Sequence, residues 1–425
     1  MSLRLRVASI AACVSICAAT EARAQATGCE AVLNRSNVAS CVVAASYALR
    51  SQAQSIASAT GQIIAARPVL PSNPQLELSA AHRAATLNND RAVDWSVTLR
   101  QEIEVAGQRG ERGASAEATL ASERSHLELT SRDVAADGWR RYFETLAATA
   151  EIAVTEELVQ SATFVEKATR AGAERGLLSP LDADVARAAR TRIERLRFSA
   201  RRNAFAAHAG LAGLLRADPT ALRVEGSLDP LQAAVSLAAV STDTSQFPEV
   251  RRLQFEQRAL AARASLYRRL RVPNPTVSVF AENDGFNERV FGAGLSFPIP
   301  LPQPLGRTNA GEIAQALALA EKAEIDAAQA KTAADTRLRV ALDDYRSRVD
   351  ELALFDKETV AHAHRQLHTI SEEIAAGRLS FRDASIAQQA LVELLLSQLD
   401  AQLQLSLASV QLARAANLPL ERGIQ

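Results

Sequence analysis

Three histidines in one helical segment have the spacing in this chain that most resembles a metal site. His364 and His368 are four positions apart, which places two imidazoles on one helix face, as in zinc-binding helices. His362 points elsewhere, and no His-Glu-x-x-His pattern accompanies the pair. We therefore interpret all three as exposed histidines of a polar helix, and we predict neither a metal site nor a cofactor.

The sequence offers no set of residues for catalysis. It has no nucleophile constellation, phosphate-binding loop or four-cysteine site. The segment Gly292-Ala293-Gly294 alternates like a strand and lacks the following helix that a dinucleotide site requires. The 48 basic and 48 acidic residues balance, so there is no electrostatic case for nucleic acid. We predict that the protein is not an enzyme.

The cysteines point to an oxidising compartment. Residues 1–24 are typical of a secretory signal peptide, with two arginines, an apolar stretch and an Ala-Arg-Ala cleavage site. Cys29 and Cys41 remain after cleavage, and a pairing between them would clip the N-terminal segment. Residues 26–29 also resemble a lipoprotein box, so Cys29 either pairs with Cys41 or carries lipid.

The chain repeats one pattern of residues in its two halves. Residues 176–182 recur 201 positions later as residues 377–383, with Gly, Leu, Ser and Asp in the same places. Asn73-Pro74 recurs as Asn274-Pro275 at the same displacement. Each half contains Asn-Pro, two alternating segments around a polar turn, a long helical run, a Gly-x-Leu-Ser turn and a return helix. The chain is therefore predicted to be internally duplicated.

The alternating segments predict four strands, two in each half. Residues 93–105 form a thirteen-residue strand with one apolar and one charged face, and 76–84 is its partner. In the second half, 277–282 and 290–301 form the equivalent pair. Strands of about ten residues can cross a bilayer when tilted. The predicted lipid-facing residues are Val93, Trp95, Val97, Leu99, Phe291, Ala293, Leu295 and Phe297.

The helical runs are too long for an ordinary globular domain. Residues 111–172 and 309–375 contain few glycines and no proline, and each run would be about 90 to 100 Å long as one helix. Return helices are predicted over 180–216 and 381–418, with core-type positions such as Val185 and Leu395. The fold class is mainly α with a small β part.

These patterns divide the chain into six parts. We predict a signal peptide over 1–24, an N-terminal helical segment over 25–72, a first repeat over 73–218, a linker with an equatorial helix over 219–273, a second repeat over 274–418 and a tail over 419–425.

The ordered, twice-repeated set of motifs resembles the TolC family of outer-membrane efflux channels, from about residue 30 to 420. The motifs are the two Asn-Pro pairs, residues 101–104 leading into Gly107-Gln108-Arg109, Pro298-Ile299-Pro300-Leu301, and the twin Gly-x-Leu-Ser turns. Glu-x-x-Gly-Gln-Arg at 104–109, and Pro-Leu-Pro followed by Gly-Arg-Thr-Asn-Ala-Gly, resemble the heavy-metal branch, of cobalt–zinc–cadmium or copper–silver type. Two departures are Ala106, where a second glycine is common, and a second turn lengthened at 303–306.

The resemblance implies a homotrimer in the outer membrane of a Gram-negative bacterium. Four strands from each chain would close a twelve-stranded transmembrane β-barrel in contact with outer-membrane lipid. The helices would continue as a coiled-coil barrel through the periplasm. A periplasmic adaptor (membrane fusion) protein would dock on the helix tips and connect them to an inner-membrane RND-type pump.

The resemblance also gives the tips two expected roles, docking and gating. Helix capping explains part of the same residue pattern. The adaptor-docking residues are Gly172, Gly176, Leu178, Ser179, Asp182, Gly377, Leu379, Ser380 and Asp383. Charged residues at tip height that would close the tunnel are Arg175, Asp182, Asp184, Arg187 and Asp383.

Three alternatives remain at this point. The same channel would serve equally for drugs or secreted protein, because substrate choice lies mainly with the pump. A periplasmic adaptor would show a single hairpin flanked by β-rich segments, without duplication. A coiled-coil scaffold would lack the amphipathic strand around Trp95.

Overall fold

The computed structural model describes Cys29, 32–84, 91–232, Ala234, 243–283, 288–301, Gly306, 308–376, 378–418 and Leu420. The predicted signal peptide, both strand-connecting turns, Gly377 and nearly all of the tail therefore lie outside the described residues.

Helices form most of the described chain. They are α1 (Val38–Ala45), α2 (Tyr47–Ala66), α3 (Gln108–Glu174), α4 (Pro180–Leu215), α5 (Pro248–Arg269), α6 (Ala310–Ala353), α7 (Lys357–Ala375) and α8 (Phe381–Ala415). Helix α3 has 67 residues without a proline and is therefore about 100 Å long. No helix in the described part of the chain combines the length and the apolar character needed to cross a membrane.

The second long helical run is interrupted, contrary to the single helix expected over 309–375. Helix α6 ends at Ala353 and α7 begins at Lys357. Asp356 accepts a hydrogen bond from the backbone N–H of Thr359 at 2.8 Å and another from its hydroxyl. An aspartate held in this way starts a new helix, because the side chain replaces the missing backbone acceptor.

The strands form two sheets. β2 (Gln75–Ala84), β3 (Arg91–Glu102), β5 (Thr276–Asn283) and β6 (Arg289–Ser296) make an antiparallel sheet in the order β2-β3-β5-β6. β1 (Val32–Leu33) and β4 (Arg223–Val224) form a short parallel pair.

Two predicted strands end earlier in the structure. The strand expected to reach Val105 ends at Glu102, and the one expected to reach Leu301 ends at Ser296. Phe297 therefore lies outside the strand to which it was assigned. Pro298 and Pro300 follow, and proline has no N–H to donate to a sheet.

An aromatic cluster in the middle of α3 holds the chain termini and the linker together. Trp139, Tyr142 and Phe143 are fully buried. The Trp139 Nε1–H donates to the Leu420 carbonyl at 3.3 Å, and the Tyr142 hydroxyl donates to the Glu225 carbonyl at 2.8 Å. Burial raises the pKa of Tyr142, so this phenol keeps its proton at neutral pH.

The N-terminal segment packs on this cluster and carries a disulfide. Cys29 and Cys41 are bonded, with their Cα atoms 5.7 Å apart. Cys41 is 2 % exposed and belongs to the same core as Val38 and Val42. The helical hairpins α3–α4 and α7–α8 share separate, smaller cores. One contains Leu158, Ile193, Leu367 and Leu395, which joins α3 and α4 to α7 and α8.

Candidate functional site

The four-stranded sheet carries one apolar face that the rest of the described chain leaves uncovered. Val97 lies opposite Leu78 on β2 and Ala281 on β5, and residues opposite one another in antiparallel strands point to the same side. The same register brings together Leu76, Leu78, Ala80, Val93, Trp95, Val97, Leu99, Val277, Val279, Ala281, Phe291, Ala293 and Leu295. Phe291 is 76 % exposed and Leu78 69 %. Seven of the eight predicted lipid-facing residues therefore share this face, which we call the apolar sheet face.

The opposite face of the sheet carries most of its polar and charged side chains, together with Phe280 and Val290. Arg83 pairs with Asp94 at 2.9 Å and Arg100 with Glu77 at 3.0 Å, both diagonally across β2 and β3. The hydroxyls of Ser79 and Ser96 are 2.8 Å apart. A sheet with these two faces suits a boundary between an apolar medium and water.

The sheet is open in a single chain. β2 and β6 are its outer strands, and neither outer edge has a strand partner among the described residues. Unpaired strand edges of this length normally meet another strand or are covered.

A partly buried hydrogen-bond network joins the sheet to the first long helix. The Gln108 side-chain amide donates to Asn274 Oδ1 at 2.8 Å, and Asn274 Nδ2 donates to Glu102 Oε1 at 2.7 Å. Gln108 is fully buried, and its Oε1 accepts from the Ala106 N–H at 3.0 Å. The second Asn-Pro motif and the Gly-Gln-Arg motif thus meet at one point, which we call the junction.

One arginine side chain, that of Arg269, also contacts the junction. Arg269 donates to the Ala106 carbonyl at 2.9 Å and pairs with Glu111 at 2.8 Å. Gly107 has a φ of +74°, and a Cβ there would lie 2.7 Å from Arg269 Nη1. The positive φ favours glycine at 107, and a larger residue there would also displace the end of the Arg269 side chain.

The first helix tip is an ordered turn between α3 and α4. Gly176 has a φ of +72°, and the Leu177 N–H donates to the Gly172 carbonyl at 2.8 Å. Leu178 covers Gly172, where a Cβ would lie 2.8 Å from the leucine side chain. Ser179 and Asp182 form a capping box at the start of α4.

The second tip repeats this geometry. The Arg378 N–H donates to the Glu373 carbonyl at 2.9 Å, equivalent to the Leu177–Gly172 bond after the 201-residue displacement. The Asp383 N–H donates to the Ser380 hydroxyl oxygen at 3.2 Å. Arg378 donates to the Glu373 carboxylate at 2.7 Å, which lowers the pKa of Glu373. Leu379 is half-buried against a core cluster that contains Ile374 and Phe381. Gly377 lies outside the described residues.

The most exposed apolar side chains of the first tip were missed by sequence reasoning. Leu177 is 75 % exposed, Leu181 68 % and Val185 44 %. Val185 was expected in the core, as Leu395 is. Leu181 and Val185 are one helical turn apart, and this i, i+4 pair just after the cap is the signal that was available. The predicted docking residues mostly shape the turn, whereas these three form its outer surface.

The predicted gate charges take part in local contacts. Asp182 accepts from the Ser179 N–H, and Asp383 from the Ser380 hydroxyl. Asp184 lies 3.7 Å from Arg187, which also approaches Glu166 at 3.7 Å. Arg175 is exposed at the end of α3. Two of the five, Asp182 and Asp383, therefore already cap helices, and the gating role stays a prediction.

Of the three histidines, the structure describes the side chains of His362 and His364. The His364 Nδ1 lies 2.9 Å from a Glu157 carboxylate oxygen, so it links α7 to α3. His362 is exposed, and the His368 side chain lies outside the described set. Among the described side chains, no group of three or more His, Cys, Asp or Glu is placed to hold a metal ion.

Comparison with known proteins supports a relation to outer-membrane channels. Residues 40–215 match the family model "Outer membrane efflux protein". No curated protein matches the sequence. The fold is similar to that of CusC, at 15 % identity and a TM-score of 0.75, with 91 % of this chain and 92 % of that chain covered.

Two further solved channels share the fold. The outer membrane protein VceC from Vibrio cholerae is 14 % identical with a TM-score of 0.72, over 91 % of this chain and 96 % of that chain. The CmeC outer membrane channel from Campylobacter jejuni is 14 % identical with a TM-score of 0.72, over 90 % and 85 %. The match over residues 40–215 supports a relation of this chain to the TolC-like outer membrane efflux family, whose members are transport conduits. The structural matches show the shared fold. Together they support an outer-membrane location with a periplasmic extension.

Proposed function

We propose that three copies of this chain form the outer-membrane channel of a tripartite efflux system. The observation that carries the proposal is an open four-stranded sheet, with one exposed apolar face, joined to a helix about 100 Å long. In water this face would expose Phe291, Leu78 and Leu76 together. In a bilayer the same side chains contact lipid.

Three open sheets close into one twelve-stranded barrel if β2 of each chain pairs with β6 of the next. The backbone donors and acceptors along the two open edges then pair with one another, as a bilayer requires. The apolar sheet face turns outward and the Arg83–Asp94 and Arg100–Glu77 pairs line a hydrated interior. The helical hairpins continue the passage into the periplasm.

The helix tips are proposed to dock a periplasmic adaptor, which couples the channel to an inner-membrane RND-type pump. Exposed apolar residues on an ordered turn support this role, since Leu177 and Leu181 have no covering in the described chain. The charges at 175, 182, 184, 187 and 383 are proposed to narrow the passage at the same level. The channel supplies a route, and the energy comes from the pump.

Heavy-metal cations are the proposed substrates. The support is the sequence resemblance of 104–109 and 300–311 to the metal-efflux branch. Residues 104–109 belong to the junction, so this motif has a structural role whatever the substrate is. Export of drugs or secreted protein by the same channel is the second candidate.

The test is growth of a strain lacking the gene, with and without the gene restored, on cobalt, zinc, cadmium, copper and hydrophobic drugs. Sensitivity to one group of metals, reversed by the gene, is expected. Sensitivity to drugs alone would contradict the metal proposal and leave the channel in place. A restored gene encoding Leu177→Ser and Leu181→Ser should fail to reverse the sensitivity.

A further inference from the structure

Helix α4 exposes arginine and phenylalanine side chains along one side. Arg195 and Arg202 are seven positions apart, and so are Phe198 and Phe205, which places all four on one helical stripe. The two phenylalanines are 52 % and 67 % exposed. Ala200, on the opposite side of α4, is fully buried. We call the four exposed residues the α4 stripe.

The arginines of the α4 stripe have no acidic partner in the described part of the chain. The ion pairs of α4 instead use Arg187, Arg190 and Arg201. Residues 185–216 contain eight arginines and one acidic residue, Glu194, so α4 carries an excess of positive charge. Exposed aromatic rings next to arginine are typical of protein interfaces. The α4 stripe therefore fits a partner surface that carries carboxylates.

Helix α7 exposes two carboxylates on a stripe of its own. Glu358, Arg365 and Glu372 are seven positions apart and lie opposite the buried Leu367. Among the described residues, neither glutamate forms a direct ion pair. Arg378 attracts Glu372 but is hydrogen-bonded to the neighbouring glutamate. We call the three exposed residues the α7 stripe.

The two stripes lie at the same height along α3, which packs against both α4 and α7. Arg201 and His364 contact adjacent glutamates of α3, at 156–157, with distances of 2.8 Å and 2.9 Å. Helix α4 runs antiparallel to α3 and α7 parallel to it, so Phe198 comes level with Arg365 to within about one residue. The order Arg, Phe, Arg on α4 is thus level with the order Glu, Arg, Glu on α7.

The connections of the chain bring these stripes together between two copies. Each stripe faces away from the core that α4 and α7 share with α3, so the stripes do not meet within one chain. Arg216, just after α4, lies over the Tyr47 ring at the start of α2, at 4.4 Å. Helix α2 leads into β2, and β6 leads into α6 and α7. If β2 of one chain pairs with β6 of the next, α4 of the first comes beside α7 of the second.

We propose that the α4 stripe of each chain binds the α7 stripe of a second copy of this chain. The inference rests on the proposed function and names the helices through which the copies contact one another. Rotation about an axis parallel to the helices keeps every residue at its height, so three identical contacts close a ring. Arginine and glutamate side chains are long enough to span an offset of one helical turn, and an aromatic ring attracts a guanidinium. The expected pairs between one chain and the next are Arg195 with Glu372, Phe198 with Arg365, and Arg202 with Glu358.

Cysteine cross-linking of the purified full-length protein tests this interface. Phe198→Cys with Arg365→Cys should, after oxidation, link α4 of each copy to α7 of the next and give a covalent trimer on a denaturing gel. Outside the predicted signal peptide the native cysteines, Cys29 and Cys41, are bonded to each other and do not compete. The control is Phe198→Cys with Val349→Cys. Val349 is 41 % exposed but lies 16 positions before Arg365, about 24 Å of helix, so no covalent trimer is expected.

A charge reversal tests the ion pairs. Arg195→Glu places like charges together and should raise the dissociation constant of the trimer by about two- to fivefold for each exposed pair lost. Adding Glu372→Arg restores the attraction and should return the dissociation constant to near the wild-type value. Native mass spectrometry after dilution in neutral detergent measures the trimer fraction. Arg382→Glu, at an exposed arginine of α8, is the control and should change nothing.

Several results would overturn the interface. They are equal cross-linking of the control pair, cross-links from Phe198→Cys alone, which would place α4 against α4, and a trimer that does not respond to Arg195→Glu or does not recover with Glu372→Arg. A trimer that forms without the matched cross-link would reject this interface and leave the proposed channel in place. A chain that stays monomeric would reject the proposed function.

Discussion

Gln108 donates a hydrogen bond to Asn274 at 2.8 Å, although 166 positions separate the two residues in the chain. Asn274 in turn donates a hydrogen bond to Glu102, at the end of β3. The start of the longest helix, the end of a first-half strand and the start of the second-half strands are thus held by three polar side chains. This network holds the ends of β3 and β5 in a fixed position relative to the start of α3.

Removing the central member of the network should destabilise the protein. Asn274→Ala leaves the buried Gln108 amide without its acceptor, which typically costs about 1 to 3 kcal/mol. We expect a lower thermal midpoint of the purified trimer. Asn73→Ala is the matched control, because Asn73 occupies the same position in the first repeat but is exposed. Equal midpoints for the two variants would contradict the role of the junction.

A charge on the apolar sheet face should block membrane assembly. Val97→Arg places a guanidinium toward lipid, at a cost of about 2 to 4 kcal/mol near the middle of the bilayer. The measured quantity is the amount of trimer in the outer-membrane fraction. Thr98→Arg, one position along on the polar face, should assemble at near wild-type levels. The assignment of the two faces fails if Val97→Arg assembles as well as Thr98→Arg.

Polar substitutions at the first tip should stop export without affecting the fold. Leu177→Ser with Leu181→Ser removes two exposed apolar side chains, and we expect adaptor binding to weaken by on the order of tenfold or more. Trimer yield should not change. Leu354→Ser is the control, since Leu354 is an 80 % exposed leucine at the break between α6 and α7. Full export by the double tip variant would exclude these leucines from docking.

Loss of the N-terminal disulfide should lower stability by about 3 kcal/mol, the size expected for a short loop. The loop between Cys29 and Cys41 spans a sequence separation of 12. Cys29→Ser, Cys41→Ser and the double variant should melt at the same temperature, because each removes the same bond. A melting temperature of the double variant well below that of either single variant would contradict this expectation. An intact mass that includes lipid on Cys29 would show that the alternative modification occurs instead.

The stability of the first turn of α7 should depend on pH. Hydrogen bonds from the Thr359 side chain and backbone lower the pKa of Asp356 from its ordinary value of 3.8. Because the folded pKa is the lower one, the cap stabilises α7 above about pH 4, and this contribution is lost as the pH falls through the folded value.

Hydrogen exchange at the Thr359 amide, corrected for the intrinsic rate, measures the state of this cap. Protection in the wild type should fall with acid. It should not fall in Asp356→Asn, whose amide oxygen caps without titrating. The same acid response in both proteins would show that Asp356 is not its cause.

The pattern of side chains along the chain was enough to predict the parts of the fold that are local. Alternation predicted the four long strands and which residues share the apolar face. The Gly-x-Leu-Ser turns and Asp182 predicted the helix tips, because capping depends on residues three positions apart. The helix break at Asp356 was missed, since neither glycine nor proline marks it.

Contacts between distant segments could not be predicted from the sequence. The Gln108–Asn274 bond, the parallel pair of β1 with β4, and the Trp139–Leu420 bond each depend on how separate helices pack. Polar residues such as Gln108 carry no periodic signal that distinguishes a buried network from a solvated surface.

The most direct test of the account is the structure of the purified protein in lipid nanodiscs by electron cryo-microscopy. We predict three chains around one axis, with β2 (Gln75–Ala84) of each chain paired to β6 (Arg289–Ser296) of the next. The apolar sheet face, which includes Val97, should point toward lipid. A single chain with an open sheet, or a closed sheet with the Arg83–Asp94 face toward lipid, would contradict the proposed channel.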